Sequence, residues 1–84
     1  MQYQFFVRNR AGQFLSSLPL RWHWSRDQAT AHDSWLEARL LAKRLPRIRN
    51  VEQYTEIVDQ FGIIWTAQHA TRAGLFGLRD AVPA

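Results

Sequence analysis

Eighty-four residues suit one small domain, which buries only a modest share of its unfolded surface and must lean on a few large side chains; four Trp, five Phe and two Tyr meet that need. The absence of cysteine excludes a disulfide-stapled scaffold and any thiolate metal site, and no apolar run approaches membrane-spanning length. Eleven basic residues against seven acidic ones give a charge of +4, a weak pull toward phosphate or acidic protein surfaces.

The chain opens on Tyr3, Phe5 and Val7 alternating with Gln2, Gln4 and Arg8. That two-residue period predicts a strand with one buried face, broken on its polar side by Phe6. Because Phe5 and Phe6 are adjacent, one of them is expected to face outward, and an exposed Phe6 beside Arg8 would make a protein-binding anchor. Asn9-Arg10-Ala11-Gly12 supplies a turn, and Gln13 to Ser17 returns as a second strand. After Leu18-Pro19-Leu20, Arg21 to Ser25 reads as a third, with Trp22 and Trp24 on one side and His23 on the other.

Ser25 and Gln28 have capping-box spacing, so a helical turn is expected over Arg26 to Thr30. The best punctuated element follows. Ser34 can cap the amide of Glu37, Pro46 stops the helix, and Ala38, Leu41, Ala42 and Leu45 form one apolar stripe. Away from that stripe lie Arg39 and Lys43, followed by Arg44, Arg47 and Arg49, five cations in eleven residues. They are the expected partner-binding group, for a protein's acidic patch or for phosphates. A solvated helix end is the plainer explanation of the same pattern. Glu37 is the one acid in this helix, so internal pairing neutralises little.

Val51 to Val58 admits two readings: Val51, Tyr54, Val58 and Phe61 have helical spacing, while Thr55, Ile57 and Val58 are β-branched. The turn chemistry of Asp59 to Gly62, leading into Ile63-Ile64-Trp65-Thr66, favours a hairpin. The expected fold is α+β, in the order β-β-β-α-β-β: a small antiparallel sheet with one main helix on one face. Residues 1–67 form the domain, and its core is Phe5, Val7, Phe14, one of Trp22 and Trp24, Leu41, Leu45 and Trp65. Residues 68–84 read as a loosely held tail, with a short helix near Ala67 to Ala73 or a partner-docking segment as the alternatives.

The first half of the chain resembles a group of short phage and prophage proteins. The resemblance rests on Tyr3, Phe5, Val7, Gly12, Phe14-Leu15-Ser16, Trp24-Ser25-Arg26-Asp27, Ala29 and Ser34-Trp35-Leu36-Glu37-Ala38. These are turn, cap and core residues, so it implies a compact α+β module in a phage context and transfers no active site. Such a context implies a small protein that binds a host or phage macromolecule, for example to inhibit a defence complex.

Catalytic signals are weak by comparison. His23, His32 and His69 are far apart, with no metal-ligand spacing, and His32-Asp33-Ser34 are consecutive, so they cannot face one another as a nucleophilic triad requires. Glu52, Glu56 and Asp59 read as a solvated face, and no phosphate-cradling glycine loop follows a strand. The expectation is therefore a non-enzymatic protein with no catalytic residue, cofactor or metal, acting in the bacterial cytoplasm. Its expected partner is a bacterial host protein or ribonucleoprotein complex, nucleic acid being the alternative, with no membrane. In that alternative the basic helix face works with an exposed aromatic, Trp22 or Trp24 between Arg21 and Arg26.

Overall fold

A computed structural model of the chain describes residues 2–45 and 54–77. Four strands, β1 (Phe5–Asn9), β2 (Phe14–Ser17), β3 (Leu20–His23) and β4 (Thr55–Asp59), form one antiparallel sheet in the order β3-β2-β1-β4. Helix α1 (Trp35–Lys43) covers one face, and a short helix α2 (Ala67–Arg72) contributes Ala70 to the same core.

The first turn forms for the reasons its sequence offers. The Asn9 side chain accepts from the Gln13 amide at 2.8 Å and donates to the Gln13 side chain at 3.0 Å, while Gly12 sits at φ 94°, where a side chain would be strained. Beyond Arg8↔Phe14, β1 and β2 part company. Residues 30–32 fill the gap: Thr30 takes the Leu15 carbonyl and caps the Ser17 amide, while His32 and Phe5 exchange both backbone bonds at 2.8 and 2.9 Å. This segment satisfies backbone groups that would otherwise be left open inside the sheet.

The core collects Phe5, Val7, Leu15, Ala38, Leu41, Ala42, Ile57, Trp65 and Ala70, with Tyr3, Leu20, Trp22, Trp35 and Leu45 packed around it. Phe14 is not among them. Phe14 and Leu15 are adjacent in one strand and must point to opposite faces; Leu15 takes the core, and Phe14 lies on the far side edge-on to Phe6. Of the two tryptophans, Trp22 packs against the core and Trp24, beyond the end of β3, is 72% exposed.

α1 starts where its cap predicts, with Ser34 Oγ accepting from the Glu37 amide at 3.2 Å. It ends at Lys43, where the Arg44 amide bonds to Leu41 O in a tightened last turn. Pro46, Arg47 and Arg49 lie outside the described residues, as do 51–53 of the segment that admitted two readings; its described part is strand β4.

Two expectations about the second half differ from the structure. The return arm after Asp59 makes a single bridge, Val58↔Ile64, in place of a fifth strand, because Ile63 and Ile64 have no outer neighbour among the described residues and Thr66 already caps α2. And residues 68–77, expected as a loose tail, are built into the domain. Leu75 and Phe76 give their carbonyls to the amides of Trp35 and Leu36 at 3.0 and 2.8 Å, and the Phe76 ring stacks on Trp35 at 5.3 Å. Residues 78–84 lie outside the described part.

Candidate interaction surfaces

α1 directs Ala38, Leu41 and Ala42 inward and leaves Lys43 and Arg44 exposed, with Arg39 half-buried on its flank. Among the described residues none of these three cations makes an ion pair; the one salt bridge joins Arg8 to Glu56. The stripe that sequence periodicity assigns to the core is thus inward, and the basic residues occupy the outer flank.

Phe6 is a correction. It is 5% exposed, although its side chain lies on the face away from α1. The 3₁₀ turn at Arg26–Gln28 brings the Arg26 guanidinium over the Phe6 ring at 5.5 Å and into a hydrogen bond with the Gln60 carbonyl, while Phe14 abuts Phe6 from β2. Adjacent residues must indeed face opposite ways, but opposite need not mean solvent when the chain folds back over the sheet. Arg8 is likewise engaged: its guanidinium binds Glu56 Oε1 at 2.5 and 2.7 Å, with the two side chains 26% and 12% exposed. Phe6 and Arg8 together do not form a free anchor.

The pairing places Glu56, Arg8, Phe14 and His23 in one row across the sheet on the face away from α1. Beside that row Tyr54, 47% exposed, donates its hydroxyl to Glu56 Oε2 at 3.0 Å and carries Arg10 over its ring at 4.9 Å. Glu56 therefore holds an arginine with one oxygen and a tyrosine with the other. The hydrogen bond to Glu56 is the main cause that raises the Tyr54 pKa above its ordinary value.

Ser16 Oγ lies 2.9 Å from His23 Nε2 on the same face, a contact that invites a nucleophile reading. The remaining partners of the hydroxyl are the carbonyls of Pro19 and Arg21, at 2.9 and 3.3 Å, which can only accept. Where the one hydroxyl proton goes to a carbonyl, the imidazole is the donor to the serine. A base that activates serine must do the reverse.

Asp59 is 1% exposed and holds the loop after β4. One oxygen accepts from the amides of Phe61 and Ile63 at 2.8 and 3.0 Å, the other from the Trp65 indole at 2.9 Å. Burial pushes its pKa up, but the indole and backbone donors together outweigh burial and hold it below the usual carboxylate range. The carboxylate is a structural tie, and the loop it holds presents Phe61, Ile63 and Ile64, each at least half exposed.

His32, in the wedge between β1 and β2, has a buried Nε2 with no hydrogen-bond partner among the described residues. Burial lowers its pKa against the opposing fields of Glu37 and Asp33. Ser34 beside it is committed to capping, so the consecutive His32-Asp33-Ser34 serves backbone structure. Among the described residues no three His, Asp or Glu side chains gather as a metal site would need, and no helix is long and apolar enough to cross a membrane.

The open sheet face escaped sequence reading because its members come from four separated strands. The alternation of Arg8 and Arg10 in and just after β1, and of Tyr54 and Glu56 just before and in β4, was the available signal. The architecture is that of a small α+β domain, a four-stranded antiparallel sheet covered on one face by a helix. Comparison with protein-family models, with curated proteins and with solved structures found no match.

Proposed function

We propose that this chain is a non-enzymatic binding protein that docks on a bacterial host protein or ribonucleoprotein complex through the outer flank of α1 and modulates it by occlusion. The observation that carries this reading is the flank itself: Lys43 and Arg44 are exposed and Arg39 half-buried, away from the inward Ala38, Leu41 and Ala42, and among the described residues they pair with no acid. Unneutralised cations on a rigid element suit an acidic partner surface, steering the encounter and fixing its register. The resemblance of the first half to short phage proteins supports a host complex, such as a defence system, as the target, and the bacterial cytoplasm as the place.

The test is recovery of partners from bacterial lysate by the tagged chain, with and without nuclease. A discrete set of proteins that survives nuclease is expected with the wild-type chain and is lost when Lys43→Glu and Arg44→Glu are combined, the unfolding midpoint staying unchanged. Equal recovery by the double variant overturns the reading.

A further inference from the structure

We propose that the sheet face away from α1 binds single-stranded nucleic acid, with Tyr54 as the base-stacking ring and Arg10 and Arg21 as phosphate contacts. This surface is separate from the α1 flank, and the proposal does not rest on that flank's function.

The strand pairing brings to this face Arg8, Arg10, Phe14, Ser16, Arg21, His23, Tyr54 and Glu56, beside the covered pair Phe6 and Val58. Three arginines meet one carboxylate, so the field of the face is positive, as a phosphate chain requires. Arg10 and Arg21 are exposed and make no ion pair among the described residues. Tyr54 is the exposed aromatic of the face, and it is held: its hydroxyl is bound by Glu56, which Arg8 holds in turn, and the Arg10 guanidinium lies over one side of its ring at 4.9 Å, so a base stacks on the other side or in place of Arg10. A ring fixed before binding loses little freedom when a base stacks on it.

Spacing agrees. At the row Glu56, Arg8, Phe14 and His23, where all four strands are in register, spacings of about 4.8 Å make a platform about 15 Å across. Aromatic and guanidinium groups on such a sheet accommodate two or three unstacked bases, and stacking accepts any base. Glu56 is a positioning residue here, holding the ring without touching the ligand. An acidic protein would answer the same charge but would not need an exposed, fixed ring among the cations, which is what favours nucleic acid.

The experiment is fluorescence anisotropy of labelled homopolymer oligonucleotides of about ten nucleotides, a length one small binding module spans, titrated with the full chain at two salt concentrations. Binding that weakens steeply with salt is expected. Tyr54→Ala should weaken it about tenfold, Tyr54→Phe much less, and Arg10→Glu with Arg21→Glu should abolish it. Lys43→Glu with Arg44→Glu on α1 should retain most of it, which separates this surface from the helix flank. Because Tyr54, Arg10 and Arg21 are exposed, these variants should lower the unfolding midpoint only slightly, checked by thermal denaturation. The proposal is overturned if no oligonucleotide binds at low salt, if Tyr54→Ala binds as wild type does, if the α1 variant loses binding to the same extent as the sheet variants, or if an acidic peptide binds this face while oligonucleotides do not.

Discussion

On the helix-covered face of the sheet Phe5, Val7, Leu15 and Ile57 are at most 4% exposed, whereas the opposite face arranges Arg8, Ser16, Arg21, His23 and Glu56 beside the covered pair Phe6 and Val58. The first face is held by area removed from water, which has no direction and tolerates any side chain of the right volume. The second is held by directed contacts: Glu56 with Arg8 and Tyr54, His23 with Ser16, Arg26 over Phe6. Truncation should therefore cost much more on one side of the same strand than on the other.

The sharpest way to break that contrast is within β2. Leu15→Ala removes fully buried volume and should cost about 3 kcal/mol. Ser16→Ala, the next residue, should cost about 1 kcal/mol, since it removes hydroxyl contacts at a half-buried site. Urea denaturation of the two variants reads the difference directly, and equal losses would mean that the open face is covered in solution.

Asp59 tests whether polar contacts can rival apolar burial. Asp59→Asn keeps an acceptor for the Phe61 and Ile63 amides but turns an amide N–H₂ toward the Trp65 indole N–H, donor against donor, at a cost of about 2 kcal/mol. Since the native carboxylate titrates below its unfolded value, its stabilisation is present above about pH 4 and fades as acid protonates the folded form. Acid titration of wild type and Asp59→Asn should show this loss in the wild type alone.

His32 gives a smaller effect at milder pH. Its folded form takes up a proton at lower pH than the unfolded chain does, so below about pH 6.5 the unfolded chain binds more protons and stability falls. His32→Gln should flatten thermal midpoints measured from neutral pH down to about pH 5, between the unfolded His and carboxylate values. The smallest change comes from Trp24→Ala, within about 0.5 kcal/mol because that ring is exposed, while Trp22→Ala should cost several-fold more.

The parts legible in the sequence are those set by neighbours in the chain. Ser34 and Glu37 mark the start of α1, Asn9 to Gly12 marks the first turn, and Phe5 and Val7 mark a buried face, because capping, turn geometry and strand alternation act over a few residues. What local rules cannot reach is who covers whom. Phe6 is buried by Arg26, twenty positions on, and Leu75 and Phe76 dock on Trp35 and Leu36 from across the domain. Phe14 and Leu15 show the remaining gap: adjacent hydrophobes announce that both faces of β2 are apolar there, without saying which one α1 will cover. The basic flank of α1 was legible as a helix face. The sheet surface was not, since Arg10 and Tyr54 meet only when β1 and β4 pair, and Arg21 reaches the same face from β3.

The strand order itself has a consequence for how the chain is made. β1 is synthesised early, yet it is an inner strand, and its long ladder is with β4, from Phe5↔Asp59 to Asn9↔Thr55. While the ribosome is still adding the intervening residues, Phe5, Phe6 and Val7 have emerged with half of their backbone partners not yet in existence. Sequence-distant pairing of this kind is slow and leaves an unsealed edge during elongation. Arrest of translation before β4 should thus leave a nascent chain that a holdase chaperone captures, and release of the full-length chain should end that capture.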